Sequence, residues 1–191
     1  MARYLIAGLG NPGRRYRETR HNVGFEVVDR LAERAGLRLS EEKFDAAFAS
    51  GRVAGESAYL LEPQTMMNDS GQSVAPAARY FEIDLDRVVV VHDDVDLSVG
   101  RLAVKEGGSA GGHNGVESVA RRLDDRGFVR VRVGVGRPQR GSVRDHVLST
   151  FDASERRVVD EVVDAAAEAV EIVVAEGVAE AQNEYNGRDF S

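Results

Sequence analysis

Cysteine is absent from the 191-residue sequence, and this absence excludes several kinds of chemistry. Without thiols the chain has no disulfide, no thiolate nucleophile and no zinc site built from cysteines. No apolar run approaches the roughly 20 residues that a membrane-spanning helix needs, and the first residues lack the basic and apolar regions of a secretory signal. We therefore expect a cytoplasmic protein that has no membrane partner.

Lysine is scarce, with only Lys43 and Lys105 in the chain, and the formal net charge of -7 argues at first against a nucleic-acid partner. The charges, however, are unevenly distributed. Residues 101–144 contain ten basic and four acidic side chains, residues 1–30 contain six and three, and residues 145–191 contain three and twelve. A basic face on an acidic body is typical of a protein that binds a polyanion, although solvated surface charge explains the same pattern.

The pattern of apolar residues predicts alternating strands and helices. The predicted strands are 3–8, 45–53, 57–62, 87–91, 101–105 and 129–136, and the predicted helices are 23–35, 72–81, 115–124 and 153–176. This alternation indicates one α/β domain over residues 1–191, in which a twisted, mostly parallel or mixed sheet carries helices on both faces. Asn22 is expected to cap the first helix. Residues 137–150 are predicted to be a basic loop and residues 182–191 a polar tail.

Polar side chains follow several of the predicted strands. Asn11 follows the first strand, Asn68 the third and Asp93 the valine-rich fourth. Asn114 opens the helix after a glycine-rich loop, and His21 comes from the first connection. In α/β sheets ligands bind beyond the carboxyl ends of the strands. Because a carboxylate orients an imidazole and asparagine amides hold a carbonyl or an oxyanion, we predict that His21, oriented by Asp93, activates water directly.

Each of these residues has a structural explanation when it is taken alone. A histidine at a helix start is more often structural than catalytic, and asparagines in loops usually form turns and caps. Asp93 shares a cluster with Asp94 and Asp96 that is common in solvated turns, and Met66 and Met67 are also explained as core residues. The predicted active site rests on independent segments that bring compatible groups to one edge of the sheet.

Two glycine motifs suggest other functions. GLGNPG at residues 8–13 matches a dinucleotide-binding pattern, but Pro12 and a polar run stand where a helix would have to begin. GGSAG at residues 107–111 matches the pattern around a nucleophilic serine, but Gly111 and Gly112 delay the helix that must follow the serine. A Ser109 esterase is therefore the weaker alternative. The four histidines have no spacing typical of a metal site, so no metal is expected.

The glycine-rich loop at residues 107–115 also suits an anion, because backbone N–H groups at such a loop and at a helix start approach a phosphate closely. Lys105 and Arg132 lie on predicted strands beside this loop and are candidate phosphate contacts. A solvated pair of cations explains these two residues equally well.

Five segments together resemble the bacterial-type peptidyl-tRNA hydrolase family. They are GLGNPG through TRHNVGF at residues 8–25, PQTMMNDSG at 63–71, VHDDVDL at 91–97, GGSAGGHNG at 107–115 and RVRVGVGRP at 130–138. The order and spacing fit up to about residue 175. The resemblance implies a monomeric, cofactor-free esterase that cleaves the bond between a peptide, or an N-blocked amino acid, and the 3′-terminal ribose of tRNA. Such an enzyme recycles tRNA from prematurely released peptidyl-tRNA.

The resemblance also implies roles for individual residues. His21 matches the proton acceptor, Asp93 the residue that stabilises its catalytic form, and Asn11 the residue that distinguishes blocked from free aminoacyl-tRNA. The positions that match tRNA and peptide contacts are Tyr16, Met66, Asn68 and Asn114. The positions that match a clamp for the tRNA 5′ phosphate are Lys105 and Arg132. A non-catalytic RNA-binding adaptor with the same fold is the alternative from a different functional class.

Overall fold

A mixed sheet of seven strands lies at the centre of the computed structural model, which describes residues 2–191. The strands are β1 (Arg3–Gly8), β2 (Glu41–Lys43), β3 (Ala46–Val53), β4 (Glu56–Pro63), β5 (Val88–Asp94), β6 (Leu102–Glu106) and β7 (Val129–Gly134). Their order across the sheet is β2-β3-β4-β1-β5-β7-β6. The neighbours β4, β1, β5 and β7 are parallel, and the other pairs are antiparallel. The carboxyl ends of the four parallel strands therefore meet at one edge, the C-terminal edge.

Helices cover both faces of this sheet. They are α1 (Val23–Ala35), α2 (Gly71–Tyr80), α3 (Asn114–Leu123), α4 (Val143–Val147), α5 (Ala153–Glu176) and α6 (Val178–Tyr185). The helices α1, α5 and α6 pack on one face, and α2 and α3 pack on the other. Within residues 2–191, none of the helices combines the length and the apolar character that crossing a membrane requires. The predicted fold class, an α/β domain with a mixed sheet between helices, is confirmed.

Alternate residues of the central strands pack into two separate cores. Along β5, Val89 and Val91 face the core beneath α1 and α5, whereas Val88 and Val90 face the core beneath α2 and α3. These side chains are at most 1% exposed. A central strand that is covered on both faces needs apolar residues at every position, which explains its unbroken run of valines.

The long helix α5 occupies the predicted range. Asp152 and Glu155 form a reciprocal capping box at its start, in which each side chain accepts the backbone N–H of the other residue, at 2.8 and 3.0 Å. Val162, Val163 and Val170 belong to its buried stripe in the first core. The predicted role of this helix, packing on the core, is confirmed.

The glycines of the first motif serve the packing of β1 against α1. A Cβ atom on Gly8 would lie 2.2 Å from the carbonyl oxygen of Gly24 in α1, so only glycine allows this contact. Gly13 has a φ of 103°, in the region that favours glycine, just before a turn of 3-10 helix. These packing and turn requirements account for the motif without a dinucleotide.

Three short elements lie where the sequence pattern does not predict them. The edge strand β2 consists of exposed, charged residues and has no apolar alternation to reveal it. The helix α4 lies inside the predicted loop 137–150, and its five residues are too few to show a helical period. The helix α6 reaches into the predicted tail, where Asn186 then bonds to the backbone N–H and C=O of Val104, at 2.7 and 3.1 Å. This contact covers part of the free edge of β6.

Candidate active site

A cavity of about 670 Å³ opens at the C-terminal edge of the sheet. The predicted catalytic and substrate-binding residues that line it are Asn11, Tyr16, His21, Met66, Asn68, Asp93 and Asn114. They come from the segments that follow β1 and β4, from the end of β5 and from the start of α3. The fold therefore brings seven side chains from four separate segments to one cavity.

The central pair of this cavity is His21 and Asp93. His21 lies in a turn of 3-10 helix (Arg20–Asn22) directly before α1, and Asp93 lies at the end of β5. The Nδ1 of His21 and the Oδ2 of Asp93 are 2.8 Å apart. When Nδ1–H donates to this carboxylate, the neutral ring keeps an unprotonated Nε2. Because His21 lines the cavity, this arrangement suits a base that accepts a proton there.

Asp93 has a second imidazole partner, His113, at the start of α3. The Nε2 of His113 lies 2.7 Å from Asp93 Oδ1, and its Nδ1 accepts the backbone N–H of Val116 at 3.2 Å. An Nδ1 that accepts leaves Nε2–H as the donor to Asp93. His113 therefore caps a helix and holds the carboxylate at the same time. Sequence reasoning missed this role, and the only signal for it was the position of His113 immediately before Asn114 in the glycine-rich segment.

Asp93 is 1% exposed. Burial alone would raise the pKa of Asp93, but favourable electrostatic interactions with His113 and His21, together with their hydrogen bonds, hold the pKa well below its usual range. Asp93 is therefore ionised at neutral pH. An ionised, buried carboxylate stabilises the imidazolium that forms when a neighbouring histidine accepts a proton.

A third histidine, His92, lies beneath this pair and is completely enclosed. Its Nδ1 donates to the backbone carbonyl of Asp93 at 2.8 Å, and its Nε2 accepts from Nε of Arg130 at 3.1 Å. Burial, with the electrostatic effects of His113 and Arg130 acting in the same direction, holds the pKa of His92 well below its usual range. This neutral ring fixes the backbone of Asp93 from below.

Asn11 is held by another asparagine. The side chain of Asn22 accepts the Asn11 backbone N–H and donates to its backbone C=O, both at 2.9 Å. Asn22 stands at the N-cap position of α1 as predicted, but its side chain makes no capping hydrogen bond because it is engaged with Asn11. The Oδ1 of Asn11 accepts the backbone N–H of Met67 at 2.7 Å, so its amide nitrogen is the group left for a ligand in the cavity. Asn11 thus presents a hydrogen-bond donor.

The outer lining combines amide groups with apolar surface. Asn68 and Asn114 are exposed, and Tyr16 is half-buried, with its hydroxyl accepting from Nη2 of Arg15 at 2.6 Å. Met66 is 45% exposed although it is a large apolar residue. The α4 side of the cavity adds Val143, Val147 and Leu148. The polar groups of this lining can orient a bound ligand, and the apolar surface can pack against it, as in sites that bind small molecules and peptides.

The three groups His21, Asp93 and His113 also have the composition of a metal site, since their ligand atoms lie within 4.8 Å of one another. Each imidazole, however, donates a hydrogen bond to a different oxygen of Asp93. The nitrogens are directed at the carboxylate rather than at a shared position for an ion. The expectation that this protein needs no metal stays a prediction.

Comparison with known proteins identifies a family that the chain matches over nearly its whole length. The family model described as peptidyl-tRNA hydrolase matches residues 5–191. The chain belongs to this family. A curated peptidyl-tRNA hydrolase of Caldanaerobacter subterraneus is 45% identical over 184 residues, which are 96% of this chain and 100% of that protein. One from Geobacter sp. strain M21 is 45% identical over 188 residues, covering 98% and 100%.

A solved structure of the same family has the same fold. The crystal structure of peptidyl-tRNA hydrolase from Acinetobacter baumannii superposes with a TM-score of 0.93 at 36% sequence identity, and the match covers 98% of this chain and 96% of that one. The resemblance inferred from five sequence segments is thus confirmed as membership of the peptidyl-tRNA hydrolase family.

Lys105 and Arg132, the predicted phosphate contacts, lie outside the cavity lining of this family member. They are diagonal neighbours on β6 and β7, because Ala103 pairs with Arg132. The Nζ of Lys105 lies over Gly108, 2.6 Å from where a Cβ would stand. The Nε of Arg132 donates to Asp94 Oδ2 at 2.7 Å. One of the two cations is therefore already paired with a carboxylate at the rim of the cavity.

Ser109, the nucleophile of the weaker alternative, has no supporting imidazole among residues 2–191. Its side chain is exposed and is not among the residues that line the cavity. Its backbone carbonyl accepts from Nη1 of Arg130 at 2.6 Å, and within residues 2–191 its hydroxyl has no hydrogen bond to an imidazole. Without a base, a serine hydroxyl is a weak nucleophile at neutral pH, so a serine esterase is not favoured.

Proposed function

We propose that this protein hydrolyses the ester bond between a peptide, or an N-blocked amino acid, and the 3′ ribose of tRNA, and thereby recycles tRNA from prematurely released peptidyl-tRNA. The observation that carries the proposal is the 2.8 Å contact between His21 and Asp93 in a cavity whose lining matches the family motifs. The family membership of the chain supports the choice of substrate.

In the proposed reaction His21 is the general base. Its Nε2 accepts a proton from water as the water oxygen attacks the ester carbonyl, and Asp93 stabilises the resulting imidazolium. The amide groups of Asn11 and Asn68 are the candidates to hold the carbonyl oxygen as it becomes an oxyanion. When the tetrahedral intermediate collapses, the bond to the 3′ oxygen breaks and the imidazolium returns the proton to that oxygen. General-base catalysis of this kind contributes about 10²–10⁴-fold.

The remaining site residues are proposed to bind the substrate. Asn11, with its free amide nitrogen, distinguishes blocked from free amino groups, and Lys105 and Arg132 contact the tRNA 5′ phosphate. The proposed contacts to the peptide and the tRNA 3′ end are Tyr16, Met66, Asn68 and Asn114. We propose that the protein works as a cytoplasmic monomer without cofactor or metal, because the family resemblance implies these properties.

The experiment that tests the function compares release of the acyl group from N-acetyl-aminoacyl-tRNA and from unblocked aminoacyl-tRNA in the presence of a chelator. Wild type is expected to hydrolyse the blocked substrate preferentially, and His21→Ala is expected to lower kcat by about 10²–10⁴-fold. Thermal melting verifies that the variant is folded. Near-normal turnover in His21→Ala would refute the mechanism, and tRNA binding without hydrolysis by wild type would favour the adaptor instead.

A further inference from the structure

The turn between β1 and α1 carries three exposed arginines at the mouth of the cavity. Arg14, Arg15 and Arg17 surround Tyr16, which lines the cavity. Two other arginines near this edge form ion pairs, Arg132 with Asp94 and Arg137 with Asp96. Within residues 2–191, none of the three arginines in the turn forms an ion pair with a carboxylate, and Glu18 is the one acid in their segment.

The turn that carries these charges is held by several internal hydrogen bonds. The backbone N–H of Tyr16 donates to the carbonyl of Gly13 and that of Arg17 to the carbonyl of Arg14, both at 3.2 Å. Thr19 donates its backbone N–H and its hydroxyl to the carbonyl of Tyr16, at 3.1 and 2.8 Å. The guanidinium of Arg15 also lies over the Tyr16 ring, 4.6 Å from its centroid. Such internal hydrogen bonds lower the entropic cost of ordering the turn when a ligand binds.

A second basic segment borders the same cavity. Arg144 of α4 lines it, and Arg140 is exposed just before that helix. The two segments are joined at one end, because the backbone N–H of Arg20 donates to the carbonyl of Ser149 at 2.9 Å. The mouth of the cavity thus has cationic side chains on the turn and on α4, on a protein whose formal net charge is -7. Such a local concentration of positive charge fits a flexible polyanion.

We propose that Arg14, Arg15 and Arg17 form a second phosphate-binding surface, which binds the single-stranded 3′ end of tRNA where it enters the cavity. The inference rests on the proposed function, which places the reacting ester beside His21 and so brings the last phosphodiesters of the tRNA to the mouth. Lys105 and Arg132 lie on β6 and β7, two to three strands from β1, or roughly 10–15 Å across the sheet. The two surfaces therefore contact different phosphates.

The test removes the three charges with R14Q/R15Q/R17Q and uses R3Q/R38Q/R52Q as the matched control. The control arginines are also exposed and have no ion pair within residues 2–191. They lie at the opposite edge of the sheet, near the start of β1, the end of α1 and the end of β3. The triple variant also removes the contact between Arg15 and Tyr16, which could alter the structure of the turn. The double variant R14Q/R17Q keeps this contact and therefore controls for such a structural effect. Thermal melting is measured for all three proteins.

Two substrates separate phosphate binding from chemistry. N-acetyl-aminoacyl-tRNA contains the phosphodiesters, and the N-acetyl-aminoacyl ester of adenosine has none. For the triple variant, kcat/KM for the tRNA substrate divided by kcat/KM for the adenosine ester is expected to fall about 10-fold, because KM for the tRNA substrate rises. The slope of log(kcat/KM) against log salt concentration is expected to become shallower by about 2. The control is expected to keep the wild-type ratio within about two-fold. An unchanged ratio in the triple variant, or an equal loss in the control, would overturn the inference.

Binding of deacylated tRNA, followed by fluorescence anisotropy, makes failure of this inference distinguishable from failure of the proposed function. If wild type hydrolyses neither ester, the proposed function fails, but weaker tRNA binding by the triple variant alone still supports the phosphate-binding surface. If wild type is active and the triple variant binds tRNA with wild-type affinity and salt dependence, the surface is refuted and the proposed function stands.

Discussion

Asp93 and Glu62 are two buried carboxyl groups near the C-terminal edge of the sheet, one on β5 and the other on β4. They are 1% and 7% exposed, respectively. Asp93 accepts hydrogen bonds from His21 and His113. Glu62 instead has another acid, Asp29 of α1, as its neighbour, and its Oε2 has no hydrogen-bond partner within residues 2–191.

These different neighbours give the two carboxyl groups opposite charge states. Burial raises the pKa of Glu62 to about 10, and the hydrogen bond and charge of Asp29 act in the same direction. Burial also disfavours the charge on Asp93, but its two imidazole partners outweigh this and keep the pKa low. At neutral pH Glu62 is therefore protonated and Asp93 ionised. The partners, rather than burial, decide which of these acids can stabilise an imidazolium.

The largest expected effect is that of Asp93→Asn. The amide has no charge to stabilise the imidazolium of His21 and competes with the two imidazole donors, so kcat is expected to fall about 10²–10⁴-fold. Steady-state hydrolysis of N-acetyl-aminoacyl-tRNA measures this. The matched control is Glu62→Gln, which makes the same kind of change at a buried acid and is expected to keep kcat within about two-fold. Equal losses in the two variants would contradict the contrast between the acids.

A smaller effect is expected when Asp93 loses its second partner. His113→Asn keeps a side chain suited to capping α3 but removes the donor to Asp93 Oδ1, so we expect kcat to fall about 10-fold with little change in KM. His113→Ala also removes the cap and is expected to cost about 1 kcal/mol of stability, measured by urea unfolding. Wild-type kcat in His113→Asn would show that one imidazole is sufficient to orient the carboxylate.

The smallest effect concerns stability at Glu62. Its folded-state pKa lies above the ordinary value of 4.5, so the folded protein retains a proton that the unfolded chain releases. The contribution of Glu62 to stability is therefore full at low pH and is lost as the pH rises towards 10. Glu62→Gln has no proton to lose and is expected to be more stable than wild type by about 1 kcal/mol at mildly alkaline pH, or about 2–4 °C in Tm.

Melting curves at acidic and alkaline pH test this prediction, because the gain from Glu62→Gln should shrink as the pH falls towards 4.5. If the extra stability of Glu62→Gln over wild type instead grew as the pH fell, the result would contradict the protonated state of Glu62. The opposite dependence is expected for Asp93, whose ionised form stabilises the folded protein above the ordinary carboxyl pKa.

Much of the fold follows from local patterns. The range of α5 and the centres of the strands are visible in the sequence because apolar periodicity extends over enough residues to distinguish helix from strand. Short elements escaped the same reasoning. The strand β2 has only three residues and α4 has five, so neither is long enough to establish a period.

The candidate site, like the fold, was only partly predictable from the sequence. Its residue types, their order and their positions after strands are enough to predict His21, Asp93 and the asparagines. The second imidazole on Asp93 and the pairing of Arg132 with Asp94 depend on distances between segments far apart in the chain. A sequence pattern contains no such distances, so these contacts were not predictable from it.

By itself, the sequence determined the α/β class, the family and the residues that gather at one edge of the sheet, because periodicity and motif spacing are local properties of the chain. Only the tertiary structure decided the hydrogen-bonding role and charge of each group. It made Asp93 an ionised acceptor between two imidazoles and Glu62 a neutral acid beside Asp29. The physical reason is that desolvation and neighbouring charge, which set protonation, depend on which segments pack together in three dimensions.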